Sequence, residues 1–532
     1  MRCLRGGGVS RDKGHPGVLS RVSGPDLSRR ALIGGLAGAS GLLLPANAMG
    51  VSRPRTGGGI RVASTSTSTL DTLDPAKGAL NTDYVRHFML YSGLTELDRA
   101  LYPRPALAEI IVSRDQKNWH IRLRKGVTFH NGKSLSAADV VYSLLRHKDP
   151  RTGSKMADIA DQFAEVRATG PLELLIRLTG PNADLPAILA QSHFLIVANG
   201  QRNFRTANGT GPFKLVEFTP GIRTKVRRNA NFWKPGKPYL DEIELIGIPD
   251  EVSRVNALLS GDVHLINAVN PRSTRRILTS PRHGLVETKS GLYTNLIVRQ
   301  DRLPVSNPHF TAALKCLIDR PLINRALFRN YATIANDHPI PPSHIYFRKD
   351  LPQTQLDLDR ARWHFRRSGV GVTRLPIYAS PAAEGSIDMA SVLQEYGSRI
   401  GLNLAVNRMP ADGYWSTHWM KHPLGFGNSN PRPTADMIFS LFYKTDATWN
   451  ESGWKAPRFD SLLMEARGEP DLQRRKQLYG EMQAMVRQSC GSIIPVFMSL
   501  LDGHDRRLKG LHPVPLGGFM GYTFAEHVWW EG

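Results

Sequence analysis

The segment at 119–150, WHIRLRKGVTFHNGKSLSAADVVYSLLRHKDP, constrains the fold of this chain more than any other. Apolar and polar residues alternate through 119–129, which is the period of two typical of strands with one buried face. Lys-Gly and Asn-Gly pairs stand at 125–126 and 131–132, and both favour tight turns because Gly and Asn accept positive φ angles. A pair of strands is therefore predicted here.

A helix is predicted directly after these turns. Ser136 can cap its first turn, and Asp139 stands three residues later, as in a capping box. The apolar stripe that follows is typical of a helix packed on a core, and comprises Val140, Val141, Leu144 and Leu145. No residue of the segment has catalytic character, so we expect it to serve as scaffold.

The same segment resembles a known family. Its pattern, L-R-x-G-V-x-F-H-x-G-x-x-x-x-A-x-D-V-V-Y-S-x-x-R, resembles the signature of periplasmic solute-binding proteins of ABC importers, in the peptide, dipeptide and nickel class called family 5. The loop at 208–215 resembles the family's G-T-G-P-F-K/R segment, and the helix and turn at 255–262 resemble its A-L-x-x-G-x-x-D segment. The resemblance extends over roughly residues 58–500.

The resemblance implies an α/β fold with two lobes and a hinge, of the large type II or cluster C-like kind. Lobe I is expected at 49–85, 206–288 and 494–532, with an extra subdomain at 86–205, and lobe II at 289–493. A chain of 532 residues is long enough for several cores. The lobes would close around a small solute and deliver it to a membrane permease. A monomer that needs no cofactor is expected.

The amino terminus predicts export. Arg29-Arg30 precedes an apolar stretch at 32–44 that is too short to span a bilayer, and Ala46-Asn47-Ala48 offers a small-x-small cleavage site. The twin arginine resembles a Tat signal, and an ordinary Sec signal is the alternative. Cleavage after Ala48 would release a periplasmic protein, and no cysteine at that site supports a lipid anchor.

The chain is strongly basic, with a net charge of +23 and a pI near 10.1. Seven basic and two acidic residues lie within 1–48, so the exported chain would carry +18. Such a charge would suit nucleic acid or an anionic membrane if the protein stayed inside the cell. Its basic residues are scattered and show no RNA-binding aromatic signature, so we expect no nucleic-acid partner.

Specificity is expected in the loop at 425–436, GFGNSNPRPTAD. In peptide-binding members of the family, a carboxylate in a G-W-x-x-D-x-x-D-P-like segment binds the ligand's amino group. Here, Ser429 or Asn430 takes its place, so the usual ammonium partner is missing. Arg432 instead offers a planar donor fork for an anionic group, and Asp436 is a lesser candidate for a cationic one. The alternative is that Arg432 pairs with Asp436 and never contacts solute.

Other side chains are candidates for lining the cleft. Aromatic side chains are common there because they bury a large area with little loss of rotamer freedom, although they are equally common in lobe cores. The glycine-rich loop at 208–215 either faces ligand or only shapes a turn. The candidates are Asn428, Phe426, Trp415, Trp419, Tyr293 and Thr210.

A histidine pair and a cysteine pair each have alternative roles. His418 and His422 are four residues apart and could face a metal together, but no third ligand accompanies them, so no metal site is predicted. Cys316 and Cys490 remain after export, either as small buried hydrophobes or as a disulfide.

An enzyme is the main alternative. The chain has no G-x-S-x-G elbow, no H-E-x-x-H, no C-x-x-C and no dinucleotide-binding glycine pattern. We therefore predict a binding protein and keep a Tat-exported enzyme for a small anionic metabolite as the alternative. A nucleic-acid-binding protein would require that the amino terminus not direct export. The solute is open among peptides, opine-like conjugates, sugars and other metabolites.

Overall fold

The computed structural model describes residues 54–371 and 373–531. The predicted export signal and its cleavage site after Ala48 lie outside these residues. Within them, no helix is both long enough and apolar enough to cross a membrane.

The described chain alternates helices and strands throughout. The strands are β1 Gly59–Ser64, β2 Thr95–Leu97, β3 Pro103–Pro105, β4 Ala108–Val112, β5 Asn118–Leu123, β6 Phe163–Gly170, β7 Glu173–Leu178, β8 Phe213–Thr219, β9 Arg223–Arg228, β10 Glu242–Gly247, β11 Leu265–Ile266, β12 His283–Val298, β13 Ala332–Ile334, β14 Leu375–Ala379, β15 Leu404–Arg408, β16 Leu424–Ser429, β17 Ser492–Ile493, β18 Val496–Asp505, β19 Leu508–Lys509 and β20 Trp529–Trp530. The helices are α1 Asn81–Leu90, α2 Ala137–Leu145, α3 Ala157–Ala160, α4 Leu185–Ile188, α5 Glu251–Ser260, α6 Thr274–Leu278, α7 Pro308–Leu317, α8 Arg320–Ala326, α9 Leu358–Ser368, α10 Ser386–Ser398, α11 Tyr414–Thr417, α12 Ala435–Phe442, α13 Pro457–Gly468, α14 Leu472–Ser489 and α15 Gly518–Gly521.

Two long antiparallel strands, β12 and β18, join the two lobes. In the main sheet they stand between β11-β1-β10-β9-β8 of lobe I and β16-β14-β15 of lobe II. Their register is continuous from His283 to Lys289, shifts, and resumes at Leu292. Parallel and antiparallel ladders mix, since β1 runs parallel to β10 and β9 antiparallel to it. The result is the predicted α/β fold with two lobes.

The extra subdomain has its own four-stranded antiparallel sheet in the order β4-β5-β7-β6, covered by α2. The predicted strand pair at 119–129 is half wrong. β5 forms as expected but pairs with β4 and β7, while residues 127–129 form only an isolated bridge between Thr128 and Ser134. Val127 and Phe129 are nevertheless buried in the subdomain core. The alternation therefore predicted which side chains are buried, but the ladder partners are β4, just before β5, and β7, about fifty residues after it.

Local signals at helix ends and turns are confirmed. Asp139 Oδ2 accepts hydrogen bonds from the Ser136 backbone N–H at 2.9 Å and from Ser136 Oγ at 2.7 Å, which completes the predicted capping box. Gly126 and Gly132 adopt positive φ angles in the predicted turns. Gly261 ends α5 in the left-handed conformation at φ 87°, a position that glycine occupies at little cost.

The last thirty residues, which lie beyond the family resemblance at 58–500, pack on lobe I. Phe519, Phe524 and Val528 join its core, and the Phe519 backbone N–H donates to Asp502 Oδ2 on β18 at 2.6 Å. Cys316 and Cys490 are buried as free thiols, with Cys490 Sγ 3.3 Å from Ser452 Oγ. The disulfide that the sequence left open is therefore not formed.

Candidate functional site in the cleft between the lobes

Arg432 lies in the loop between β16 and α12, at the junction of the two lobes. Thr434 closes this loop by capping α12, since its Oγ1 accepts the Met437 backbone N–H at 3.2 Å. Arg432 lines a small cavity of about 20 Å³, which we call the arginine chamber. Lobe I and its subdomain contribute Leu101 and Pro515, and lobe II contributes Gly291, Pro339, Ile340, Pro341, Ser343, His344, Pro431, Thr434 and Ile438.

The Arg432 guanidinium has no acidic partner among the described residues. Its Nε is buried and forms no hydrogen bond within them. Burial lowers the pKa of Arg432, and the nearby phenol groups of Tyr84, Tyr522 and Tyr293 oppose that shift. A cation with buried donors and no anion is costly unless another group compensates it.

Asp436 does not supply that compensation. Its Oδ1 lies 3.0 Å from Nε of Arg467, and Arg467 also donates to Ser440 Oγ at 2.8 Å. Burial raises the pKa of Asp436, and Arg467 opposes the shift. The pairing of Arg432 with Asp436 that the sequence left open therefore does not occur.

Aromatic side chains of lobe I and its subdomain surround the arginine charge. Tyr84 of α1 packs edge-to-face against Tyr522, with ring centroids 5.4 Å apart, and against His193 at 5.3 Å. Tyr522 donates its hydroxyl hydrogen to Asn81 Oδ1 at 3.2 Å. Burial lowers the pKa of His193, whose Nε2 is 3.0 Å from the Gly78 carbonyl oxygen. No sequence motif marks these residues as part of a site, because they come from distant parts of the chain.

Among the candidates on the central strands, Tyr293 and Asn428 lie on the β12–β16 ladder. Tyr293 is buried, with its hydroxyl 3.3 Å from that of Tyr443. Asn428 Nδ2 donates to Thr294 Oγ1 at 3.4 Å. Phe426 is 2% exposed and packs in the lobe II core. Tyr293 is also one of the three phenol groups that act on the pKa of Arg432.

The two tryptophans lie on lobe II, outside the lining of the arginine chamber. Trp419 donates from Nε1 to Glu451 Oε1 at 2.7 Å, and Trp415 is 41% exposed. His418 and His422 approach within 3.1 Å beside them. Within the described residues, no group of three or more potential ligands could hold a metal ion.

Thr210 is buried where the 208–215 loop packs on the end of α1. The Thr210 carbonyl oxygen accepts the Ser92 hydroxyl at 3.1 Å, and its own Oγ1 forms no hydrogen bond within the described residues. A Cβ at Gly209 or Gly211 would collide with the backbone of Leu90. Close packing therefore accounts for both glycines.

A second cavity, of about 200 Å³, adjoins the first and shares Leu101, His344 and Thr434 with it. We call it the aspartate chamber because Asp184 of the subdomain lines it. Asp184 Oδ1 lies 2.6 Å from Arg475 Nη2 of lobe II. The remaining lining residues are Ala100, Tyr102, Pro103, Ala183, Ala187, Ile345, Tyr346, Pro433 and Leu472. The sequence did not predict this chamber because its two charged residues are 291 positions apart.

Residues 102–450 match the family model of bacterial extracellular solute-binding proteins, family 5. The chain belongs to this family. Glutathione-binding protein GsiB of Escherichia coli K12 is 24% identical to this family 5 protein over 473 residues, covering 85% of this chain and 92% of GsiB. The periplasmic binding protein DppA of Helicobacter pylori, solved with the peptide STSA, is 21% identical with a TM-score of 0.75 and covers 90% of this chain and 99% of its own. AgaA of A. tumefaciens R10, solved with agropinic acid, is 20% identical with a TM-score of 0.74 and covers 89% and 99%. The two structures show the fold that this family 5 chain shares.

Proposed function

We propose that this family 5 protein is the periplasmic substrate-binding component of an ABC importer, and that it captures a peptide or amino-acid-derived solute through a carboxylate bound to Arg432. The observation that carries the proposal is the buried Nε of Arg432, which has no partner among the described residues. A guanidinium and a carboxylate can form two parallel hydrogen bonds, which match both charge and geometry. The carboxylate of such a solute would supply the hydrogen-bond partner that Arg432 lacks among the described residues.

Charge balance favours an anion over a neutral group. The alternative was that Asp436 forms an ion pair with Arg432, but Asp436 is paired with Arg467 instead. Tyr84 provides a hydroxyl, and Tyr84 and Tyr522 provide flat apolar faces, near the same charge. The carboxylate of a solute would thus meet the Arg432 cation and the neutral hydroxyl of Tyr84.

Closure of the lobes would act through the two strands that join them. The register of β12 against β18 shifts between Lys289 and Leu292, which is close to the proposed start of lobe II at 289. A small change of backbone angles at such an irregular point can rotate one lobe against the other. The closed form would then be the state that delivers solute to the permease.

Peptides are the first solutes to test, because GsiB is a glutathione-binding protein and DppA was solved with the peptide STSA. The mature protein would be unfolded, freed of any bound solute, refolded and titrated with short peptides, glutathione and opine-like acids. Each peptide would be used as the free acid and as its carboxyl-terminal amide. We expect the acid to bind at least about tenfold more tightly than the amide, because a hydrogen bond to a charged group contributes about 1.5–3 kcal/mol to the binding free energy. Equal affinity for acid and amide would contradict the role of Arg432.

The same titration separates binding from catalysis. Solute recovered unchanged after long incubation supports a transport protein, whereas conversion of the solute would favour the Tat-exported enzyme. Fractionation of cells that carry the wild-type or the Arg29→Lys, Arg30→Lys chain tests export by the twin-arginine route. We expect the wild-type protein in the periplasm as a monomer cut after Ala48.

A further inference from the structure

We propose that the aspartate chamber is a subsite for a cationic group of the solute, and that Asp184 is the residue that selects it. The inference rests on the proposed function, because it concerns the other end of the same solute. It adds the class of compound: a zwitterion whose carboxylate binds Arg432 and whose ammonium or guanidinium group binds Asp184.

The first observation is an unused acceptor. Asp184 Oδ1 accepts Arg475 Nη2 at 2.6 Å, whereas the second oxygen, Oδ2, is buried and has no hydrogen-bond partner among the described residues. The Asp184 side chain is 9% exposed. A buried carboxylate oxygen without a donor is costly, so the site is suited to a group that brings one.

The second observation is the cavity that Asp184 lines. The aspartate chamber has about 200 Å³, room for roughly six water-sized groups at about 30 Å³ each. Tyr102, Tyr346 and Leu472 supply much of its wall, so the stem of an alkylammonium group would contact apolar surface while its charge meets Asp184. The chamber is therefore a built cavity with one charged acceptor in it.

The surrounding charges leave that acceptor available. Arg475 stacks over the ring of Tyr346 at 5.1 Å and uses its Nε to donate to the Ala466 carbonyl oxygen. The pKa of His344, which lines both chambers, is lowered to about 4 by burial, so the imidazole is neutral at pH 7. Asp436 is paired with Arg467. No positive side chain of the described residues therefore occupies Asp184 Oδ2.

The third observation is that the two chambers are neighbours. Leu101, His344 and Thr434 line both, so a solute that occupied both chambers would extend from Arg432 to Asp184. Leu101 holds a left-handed backbone conformation at φ 63°, which is uncommon for residues other than glycine. The subsite at Asp184 would also compensate for the loss of the family's usual ammonium-binding carboxylate, whose place is taken by Ser429 or Asn430. The carboxylate for the amino group would come from the subdomain rather than from lobe II.

The test uses the alanine tripeptide and glutathione as probes, each with a free amino group and N-acetylated, titrated into the mature protein. We expect wild type to prefer the free amine by about tenfold or more, since acetylation removes a charged donor. In Asp184→Asn, the ratio of the affinity for the free amine to the affinity for the acetylated form should be close to one. Asp158→Asn is the matched control, because Asp158 is an exposed aspartate of the same subdomain.

A second variant separates binding from closure. Arg475→Gln breaks the same ion pair but keeps the Asp184 carboxylate, so it should weaken all probes while retaining the preference for the free amine. If Asp184→Asn and Arg475→Gln weaken amine and acetyl forms to the same extent, Asp184 only holds the lobes together and the inference is wrong. If acid is still preferred over amide, the proposed function stands without this subsite. Failure of both peptides to bind wild type overturns the peptide class and the subsite together.

Discussion

Asp184 and Arg475 form a buried ion pair, 2.6 Å long, between the extra subdomain and lobe II, on opposite walls of the cleft. Two weaker contacts accompany it: Ala183 N–H donates to the Arg467 carbonyl oxygen at 2.8 Å, and Gln191 Nε2 lies 3.6 Å from the Met437 sulfur. Opening the cleft must break all three. The pair therefore contributes to the stability of the closed form.

Arg475→Gln should shift the solute-free protein toward an open form. Removing one partner of a buried ion pair typically costs about 3–5 kcal/mol, here lost only by the closed state. We expect a larger radius of gyration in small-angle scattering and weaker solute binding. Arg458→Gln, which alters an exposed pair with Glu481 on the same lobe, should leave both unchanged. An unchanged radius for Arg475→Gln would mean that other contacts hold the lobes closed.

Asp502 should make the protein less stable as the pH rises. Burial raises the pKa of Asp502 to about 7, against about 3.9 for an unfolded aspartate. The folded state then binds the extra proton between pH 4 and 7, so the free energy of unfolding falls across this range and stays low above it. Asp502→Asn should remove this penalty of roughly 2–4 kcal/mol.

Calorimetry at pH 5 and pH 8 measures that effect. The stability gained by Asp502→Asn over wild type should be larger at pH 8 than at pH 5. Asp158→Asn, at an exposed position, should show no such difference. A gain for Asp502→Asn that does not change with pH would mean that the Asp502 pKa is ordinary in the folded state.

His338 should make the protein less stable as the pH falls, which is opposite to the effect of Asp502. It is buried, neither ring nitrogen has a hydrogen-bond partner among the described residues, and burial lowers its pKa to about 4. The unfolded imidazole binds a proton near pH 6.5, so the free energy of unfolding falls as the pH drops from 6.5 toward 4.

His338→Phe should remove that loss, which amounts to roughly 2 kcal/mol at pH 5. Any misfit of the larger ring beside Phe347 acts equally at all pH values, so the informative quantity is the change in unfolding free energy between pH 7.5 and 5. His120→Phe, at an exposed histidine, is the control. A variant whose stability falls as steeply with acid as that of wild type would show that His338 is protonated in the folded state.

The two mature cysteines should be free and unreactive. Cys316 and Cys490 are buried thiols, and burial raises the pKa of each, which disfavours the reactive thiolate. The chain from residue 49 should take up two equivalents of a thiol reagent when unfolded and almost none when folded. A reductant should not change its melting temperature. Uptake only after reduction would indicate a disulfide.

The family and the fold could be predicted because they depend on local chemistry. The capping box at Ser136 and Asp139 and the turn glycines form within a few residues of one another, so the sequence carries them directly. The partners of β5 could not be predicted, because alternation shows which face is buried and not which strand lies alongside.

The sequence could mark only part of the candidate site, for the same reason. Arg432 could be selected by comparing one loop with the family pattern. Asp436 was a weaker choice because its partner, Arg467, stands on another helix. Asp184 and Tyr522 reach the cleft only through the folding of distant segments, and nothing in their neighbouring residues marks them.

Arg432→Ala, compared with wild type, tests the central claim most directly. Both proteins would be refolded without solute, dialysed against the same periplasmic extract and weighed by native mass spectrometry. Arg366→Ala, at an exposed arginine of lobe II, is the matched control. We predict one carboxylate-bearing solute per molecule on wild type and the control, and roughly tenfold or greater loss of affinity on Arg432→Ala. The same solute bound equally to all three proteins would contradict the account.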